Sequence, residues 1–580
     1  MKLNALTTIF ALTATLGQPV LAQQLTTPAL PAPVAPAPTA TEGNLSLTLP
    51  QAYELALSRN LDLQVGRYDV AKAEVSIAGA TGTFDPQLSL GVSGDWSKSP
   101  AATQLAGAQV NVGRDAKFDL GLATVLPTGT NLSIDSSTTR SETNSTFFFL
   151  NPRWTTDLTV SLRQPLLQGF GTLVNRSAIV VARNSRDQTA SSFAIKVINT
   201  LQSVEDAYWD LIATRQAVEV RQQSLELAQR LLRETQERVK VGTAAPIDTV
   251  QSEATVAARQ QELITAKNAA ANAEDALKAV LGFDQPDEWN VHIKTSDELT
   301  TKPIHPKLDD SIDVALKKRP EVHSLLLSIE LAALNTRVAR NSVLPRLDLQ
   351  ATYGWGGLGG NYQVIDTETG QVISTQPGGL NDALRQLRKF DFPHWTLGVT
   401  FGVPLGNNQA KARLAQRRFE LDQAKVQLNA LKQQITRDVR TAVRALEDGA
   451  ANIDAAEAAQ VAAQRNLQAE QTKYNNGLST NYQVLQIQDD LAVAQLTALQ
   501  AEVAYRKALV GYRYATGTLL DEEHVAIVDP GQPQIPHDYW KNVRWLQFVD
   551  FHGDKTASKS ASVQKEEQAQ PKTEKEENPS

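Results

Sequence analysis

The chain has 580 residues, 63 acidic against 56 basic side chains for a net charge of −7, no cysteine, and Met1 as its one methionine. The acidic balance disfavours nucleic acid as a partner, and the missing cysteines exclude a disulfide framework and a thiolate route for soft metals. No stretch beyond the amino terminus reaches the roughly 20 apolar residues that a transmembrane helix needs, so any membrane entry must be made by strands.

Residues 1–22 read as a secretory signal: Lys2, an apolar run over 6–16, and Val20-Leu21-Ala22 before Gln23. Cleavage after Ala22 would put glutamine first, which leaves no amino-terminal cysteine to lipidate. Residues 23–44 carry Pro28, Pro31, Pro33, Pro36 and Pro38 and predict a disordered leader. Thr48 and Pro50 then open a helix that continues to about residue 80. From Pro86 the period drops to two, with Leu88, Leu90 and Val92 on one side and Ser89, Gly91 and Ser93 on the other. That is a half-buried strand over 86–96. A return strand over 155–165 sets Leu158, Val160 and Leu162 against Thr159, Ser161 and Arg163. The long loop between them contains an apparent extra hairpin, 118–125 and 130–136 around Pro127-Thr128-Gly129. Phe147-Phe148-Phe149 either extends the return strand toward a membrane interface or packs within the loop.

A helical hairpin follows over 173–282. Leu211, Val218, Leu225, Leu232 and Val239 recur every seven residues on its outgoing arm, and Val250, Ala257 and Ile264 on its return. A seven-residue repeat keeps one narrow stripe against a partner helix, which is coiled-coil packing. The break falls at Val241-Gly242-Thr243, where glycine accepts the left-handed backbone that ends a helix.

The pattern then repeats. Pro345, Leu347, Leu349 and Trp355 answer Pro86, Leu88, Leu90 and Trp96 at an offset of 259. A return strand over 395–404 alternates Leu397, Val399 and Phe401 with Gly398, Thr400 and Gly402. The second helical hairpin, 408–517, carries Leu446, Ile453, Gln460, Leu467 and Tyr474 outward and Leu485, Ala492 and Leu499 back, matching the first at an offset of 235. Its break is Asn476-Gly477-Leu478. The chain is therefore an internal duplication: signal 1–22, leader 23–44, first repeat 45–284, connecting segment 285–308, second repeat 309–518, a mixed segment 519–551 packing on the rod, and a disordered, charged tail 552–580.

Each outgoing helix rises roughly 100 Å at ~1.5 Å per residue, and each return helix covers about half of that. A leading helix stacked end-on against a return helix makes up the difference. Four clear strands cannot close a barrel, for which about eight are needed, and an open edge cannot sit in lipid. Closure requires several copies, and the strands do not say how many.

The duplicated units, the openings Ala56 to Asp62 and Ala315 to Glu321, the prolines Pro86 and Pro345, and the turns at Gly242 and Gly477 resemble the TolC-like outer membrane efflux proteins over roughly residues 45–520. The resemblance implies an α+β membrane protein with a long coiled-coil α-helical barrel and a 12-stranded outer-membrane β-barrel shared by a homotrimer. It implies a passive exit duct of a tripartite efflux or type I secretion system, partnered by a periplasmic adaptor and an inner-membrane pump. The tip-proximal gate would fall at Asp248, Gln251, Tyr474, Ser479, Gln483 and Gln486. Glutamines stand where the family places carboxylates and Ser479 where arginine is common, so at most one acidic ring is expected. Asp248 also follows Pro246 in the first helical turn, where a carboxylate is favoured regardless of any gate. Val241, Gly242, Thr243, Asn476, Gly477 and Leu478 would meet the adaptor, or simply terminate helices. Leu88, Leu90, Val160, Leu397, Val399 and Phe401 would face lipid, with their polar neighbours facing water.

No cofactor, metal site or catalytic constellation is expected: the seven histidines are scattered, and no nucleophile elbow or phosphate loop is present. A periplasm-spanning tether or adhesin without a lumen is the alternative. The alternating strand faces favour a duct, and nothing in the residues names a cargo.

Overall fold

The computed structural model describes residues 44–101, 108–145, 148–297, 302–365 and 372–525, all within one compact unit, Ala29–Gln532. The expected signal, nearly all of the leader, Phe147, residues 526–551 of the mixed segment and the tail lie outside the described residues.

The first repeat runs β1 (Asn44–Leu47), α1 (Leu49–Arg59), α2 (Leu61–Thr81), β2 (Gln87–Pro100), β3 (Val110–Val125), β4 (Asn131–Thr143), β5 (Leu150–Pro165), a single turn α3 (Thr172–Asn175), α4 (Ser177–Lys240) and α5 (Pro246–Leu281). The connecting segment holds β6 (His292–Thr295). The second repeat follows as α6 (Leu308–Lys318), α7 (Pro320–Asn341), β7 (Arg346–Ile365), β8 (Val372–Gln376), α8 (Leu380–Lys389), β9 (Phe392–Gly402), α9 (Asn408–Asn475) and α10 (Asn481–Thr516), closed by α11 (Leu519–Glu522). The outgoing helices α4 and α9 have 64 and 68 residues, close to the lengths their heptads predict.

Each leading helix, expected as one piece, is broken in two. Asn60 leaves the helical region and its side chain accepts the Leu63 amide, restarting the chain as α2. In the second repeat the break precedes Pro320, whose ring pushes Arg319 into extended backbone. Both breaks serve one purpose. At the end of α5, Gly282 has φ +82° and a Cβ there would lie 2.5 Å from the Arg59 carbonyl oxygen. Gly517, at the end of α10, has φ +71°, and a Cβ there would lie 3.2 Å from the Arg319 nitrogen. A return helix thus ends against the break in a leading helix, which is the expected end-on stacking, and only glycine fits the junction.

The core sits at this level. Leu47, Tyr53 and Leu63 pack with Leu201, Tyr208, Trp209 and Leu211 of α4 and with Leu277 and Leu281 of α5. The parallel pair β1–β6 lies alongside, drawing residue 44 of the expected leader into the fold. A smaller cluster repeats the arrangement around Ala315, Ile435 and Val439.

The heptad stripe is buried where predicted on α9 and α10, at Leu446, Leu467, Leu485, Ala492 and Leu499. On α5 it is not. Ser252, Arg259, Leu263 and Leu277 turn inward, and Val250 and Ile264 stay exposed. Among the described residues the α5 stripe has no partner within its own chain.

Strand count is the other departure. The expected extra hairpin is longer than its alternation suggested, and it is not an appendage. Its strands β3 and β4 enter the main sheet between β2 and β5, giving the antiparallel row β2-β3-β4-β5-β7-β9, with β8 paired only to the far end of β7. Six long strands per chain replace the four expected. One cross-strand line, Leu88, Leu122, Ile134, Val160, Tyr353 and Trp395, spans the row on one face. The adjacent line, Ser89, Gly121, Asp135, Thr159, Gly354 and His394, spans it on the other. Among the described residues no helix is long and apolar enough to cross a membrane.

Candidate functional site at the helix tips

The two helical hairpins end in identical backbone motifs. The Thr243 amide donates to the Arg238 carbonyl at 2.8 Å, and 235 positions on the Leu478 amide donates to the Lys473 carbonyl at 2.8 Å. Gly242 and Gly477 take φ of +78° and +73° in the left-handed position that this helix ending requires. The ending leaves Val241 and Leu478 projecting, 72% and 78% exposed. Large apolar side chains are held in water only by the turn.

Behind the turns the hairpins interlock. Tyr474 is buried with Leu231, Val484 and Leu485. The Arg238 guanidinium, from the first hairpin, lies 4.1 Å from the centre of the Tyr474 ring, and its Nη1 donates to the Tyr474 carbonyl at 3.2 Å. Thr235, fully buried, reaches the Asn481 Oδ1 at 3.3 Å. Asn481 in turn donates to the Ser252 hydroxyl at 2.8 Å and to the Asp248 carbonyl at 3.2 Å. Every bond in this chain crosses from one repeat to the other. Three polar groups that burial would otherwise penalise are thereby satisfied.

The expected gate residues separate into those the structure joins and those it leaves apart. Tyr474 is in the network. The Asp248 carboxylate accepts the Ala245 amide at 3.3 Å and so caps its own helix, the bland reading of its position. The Ser479 hydroxyl sits between the Glu470 carboxylate and the Gln483 amide. Gln483 and Gln486 line an open groove of about 280 Å³ with Glu470, Lys473 and Tyr482. Gln251 is exposed.

Arg238, Thr235, Glu470 and Asn481 were not singled out from the sequence. The hydrogen bond from Ser479, together with Lys473 at 3.0 Å, holds the Glu470 carboxyl below the ordinary carboxylate range. The one acidic group that shapes the second tip is therefore Glu470, on the outgoing arm rather than after the turn. The duplication offered a signal for it: Glu470 and Thr235 are repeat-related, as are Lys473 and Arg238. In the first copy these polar residues reach across to the second hairpin, and in the second copy they bond within their own. Among the described residues no cluster of His, Cys, Asp and Glu could hold a metal ion.

The sequence profile of the outer membrane efflux proteins matches residues 52–283 and 311–518, the two repeats and little else. The chain belongs to this family. It is 23% identical over 372 residues to the outer membrane efflux protein BepC of Brucella suis, covering 64% of this chain and 74% of that protein. It is 24% identical over 347 residues to the pyoverdine export outer membrane protein OpmQ of Pseudomonas putida, covering 58% and 67%. The fold matches that of the CmeC outer membrane channel of Campylobacter jejuni with a TM-score of 0.59 at 16% identity, over 81% of this chain and 85% of that one. This outer membrane efflux protein thus has relatives named for efflux, export and channels rather than for catalysis.

Proposed function

We propose that the protein is the passive exit duct of a tripartite export system, working as a homotrimer. The observation that carries this is the sheet, whose edge strands β2 and β9 have no outer partner among the described residues and whose two faces are of opposite polarity. An apolar outer face suits lipid, a polar inner face suits a water-filled lumen, and unpaired edges in lipid demand closure by further copies. On this reading Leu88, Leu90, Val160, Leu397, Val399 and Phe401 contact lipid. The helices support the same assembly: Val250 and Ile264 on α5, and Phe419 and Val426 on α9, are exposed apolar pairs at multiples of seven residues. Neighbouring chains would bury them.

The tips are the gate and the docking surface. Val241 and Leu478 engage apolar pockets of a periplasmic adaptor, and the Arg238–Tyr474 contact holds the two tips of one chain together until that docking occurs. An inner-membrane pump supplies the energy, since the duct has none of its own. Purified protein reconstituted in planar bilayers is expected to conduct ions in discrete steps, and negative-stain particles to show threefold symmetry. A well-folded oligomer that never conducts would leave a tether without a lumen as the reading.

A further inference from the structure

Among the described residues the β3–β4 hairpin has no full-length counterpart in the second repeat, where the corresponding segment forms the short β8 and the helix α8. We propose that β3 and β4 are wall strands of the outer-membrane barrel. Three chains of six strands then close an eighteen-stranded wall, and the exit is about half as wide again as four strands per chain would give. This rests on the trimeric duct proposed above.

Length is the first argument. β3 pairs with β2 along the whole of Gln87–Pro100, and β4 pairs with β5 from Arg163 to Arg153. The hairpin therefore spans the same height as its neighbours, and its strands, 16 and 13 residues long, exceed the roughly 9–11 that a tilted membrane strand needs.

Polarity agrees. Phe118, Leu120, Leu122 and Ile134 share the apolar face with Leu88 and Leu90, while Lys117, Asp119, Asp135 and Ser137 share the polar face with Ser89. A surface flap would have no reason to match this alternation strand by strand.

Anchoring agrees as well. The tight turn between β3 and β4 lies at the helical end of the sheet, where its Thr128 carbonyl accepts the Gly171 amide at 3.1 Å. Thr130 donates to Gln164 of β5, and Gly129 packs against Gly169 and Asn175 so closely that a Cβ would lie 2.6 Å from the Gly169 oxygen. Barrels place short turns on the periplasmic side in just this way.

Closure is preserved too. A two-strand insertion keeps the row even, so β9 of one chain still meets β2 of the next antiparallel; a single added strand would not. Widening the exit leaves the helix tips as the narrow point, so size selection falls on them. The outer end would then pass bulky hydrated solutes that a narrower barrel would retain.

The test is the strand count in a cryo-electron microscopy map of the full-length protein, paired with polymer exclusion from the extracellular side of a bilayer. The partner variant replaces residues 101–149 with a short glycine–serine linker, making β2 and β5 neighbours. Eighteen wall strands are expected, with a polymer cut-off diameter about 1.5-fold larger for the natural protein than for the variant. A threefold ring of twelve strands with residues 110–143 folded outside it would overturn the inference and leave the duct intact. A ring of another copy number would overturn eighteen through the trimer, recognisable because each chain would still show six strands. No closed ring at all would overturn the duct. If the variant does not assemble, the strand count of the natural protein decides alone.

Discussion

Removing the Arg238 guanidinium should loosen the tips. In this structure the side chain is half-buried, stacks on the Tyr474 ring at 4.1 Å and donates to the Tyr474 carbonyl. A cation over a ring contributes about 1 kcal/mol in a partly desolvated setting, and a charged donor on a carbonyl about 1.5 kcal/mol. Together they stabilise the joined tips by roughly 2.5 kcal/mol, so Arg238→Ala should shift the joined-to-parted ratio about 60-fold per chain. In single-channel recordings the variant should spend far more time at high conductance. Arg238→Lys keeps the charge but loses the planar stack, and should fall between the two. Melting temperature should stay nearly unchanged, because the main core lies far along the rod around Trp209 and Leu211. Natural conductance in Arg238→Ala, with the protein intact, would refute the latch.

Four further outcomes follow from the packing. Glu205 is buried beside Tyr53 and Trp209, and burial raises its carboxyl above the ordinary range despite the hydrogen bonds it accepts. Its contribution to stability is therefore complete below the unfolded carboxylate range and lost as pH rises through the folded value. Glu205→Gln should flatten the fall in melting temperature as pH rises above the ordinary carboxylate range of about 4. Ile264, 61% exposed in one chain, should be buried between chains; Ile264→Lys should forfeit about 2–3 kcal/mol per interface and shift native mass spectra toward monomer. Phe419→Glu on α9 should act in the same direction, and retained trimer in both variants would remove these stripes from the interface. Gly357→Val would drive a Cβ to within 2.2 Å of the Ala383 oxygen, displacing α8 from the apolar face of β7. Faster tryptic cleavage at Arg385 and Arg388 on intact cells would report it.

Most of the fold was legible because duplication states it twice. Heptads fixed α4 and α9 to within a few residues, since a 68-residue stripe leaves little freedom in its ends. The break at Asn60 was hidden because helical spacing continues through it and only the close approach of Gly282 demands it, whereas the break at Arg319 was legible in Pro320, which forces the residue before it out of the helix. The depth of the β3–β4 insertion was hidden in its weaker alternation, with Ser136 and Thr138 on the apolar face. A length signal existed: the repeat offset falls from 259 at the strands to 235 at the turns, so the first repeat holds 24 more residues between them. At the tips Tyr474 was found by resemblance, but Arg238 came from the other hairpin. No pattern within one repeat could place it there.

Duplication also makes the seams between tips unequal, and that bears on how the duct opens. The position related to Tyr474 is Val239, and the position related to Arg238 is Lys473. The stack of guanidinium on phenol therefore cannot recur at the seam where the second tip of one chain meets the first tip of the next. Lys473 is instead held 3.0 Å from Glu470 of its own helix. In a ring of alternating hairpins every other seam lacks the latch, and parting should begin there. The chain has no cysteine, so spin labels introduced by Val241→Cys and Leu478→Cys need no background substitutions. Label distances within one chain should be narrowly distributed and those between chains broad. Arg238→Ala should broaden the first set and leave the second as it was. Equal widths in the natural protein would mean that the cation on the tyrosine ring does not decide where the tips part.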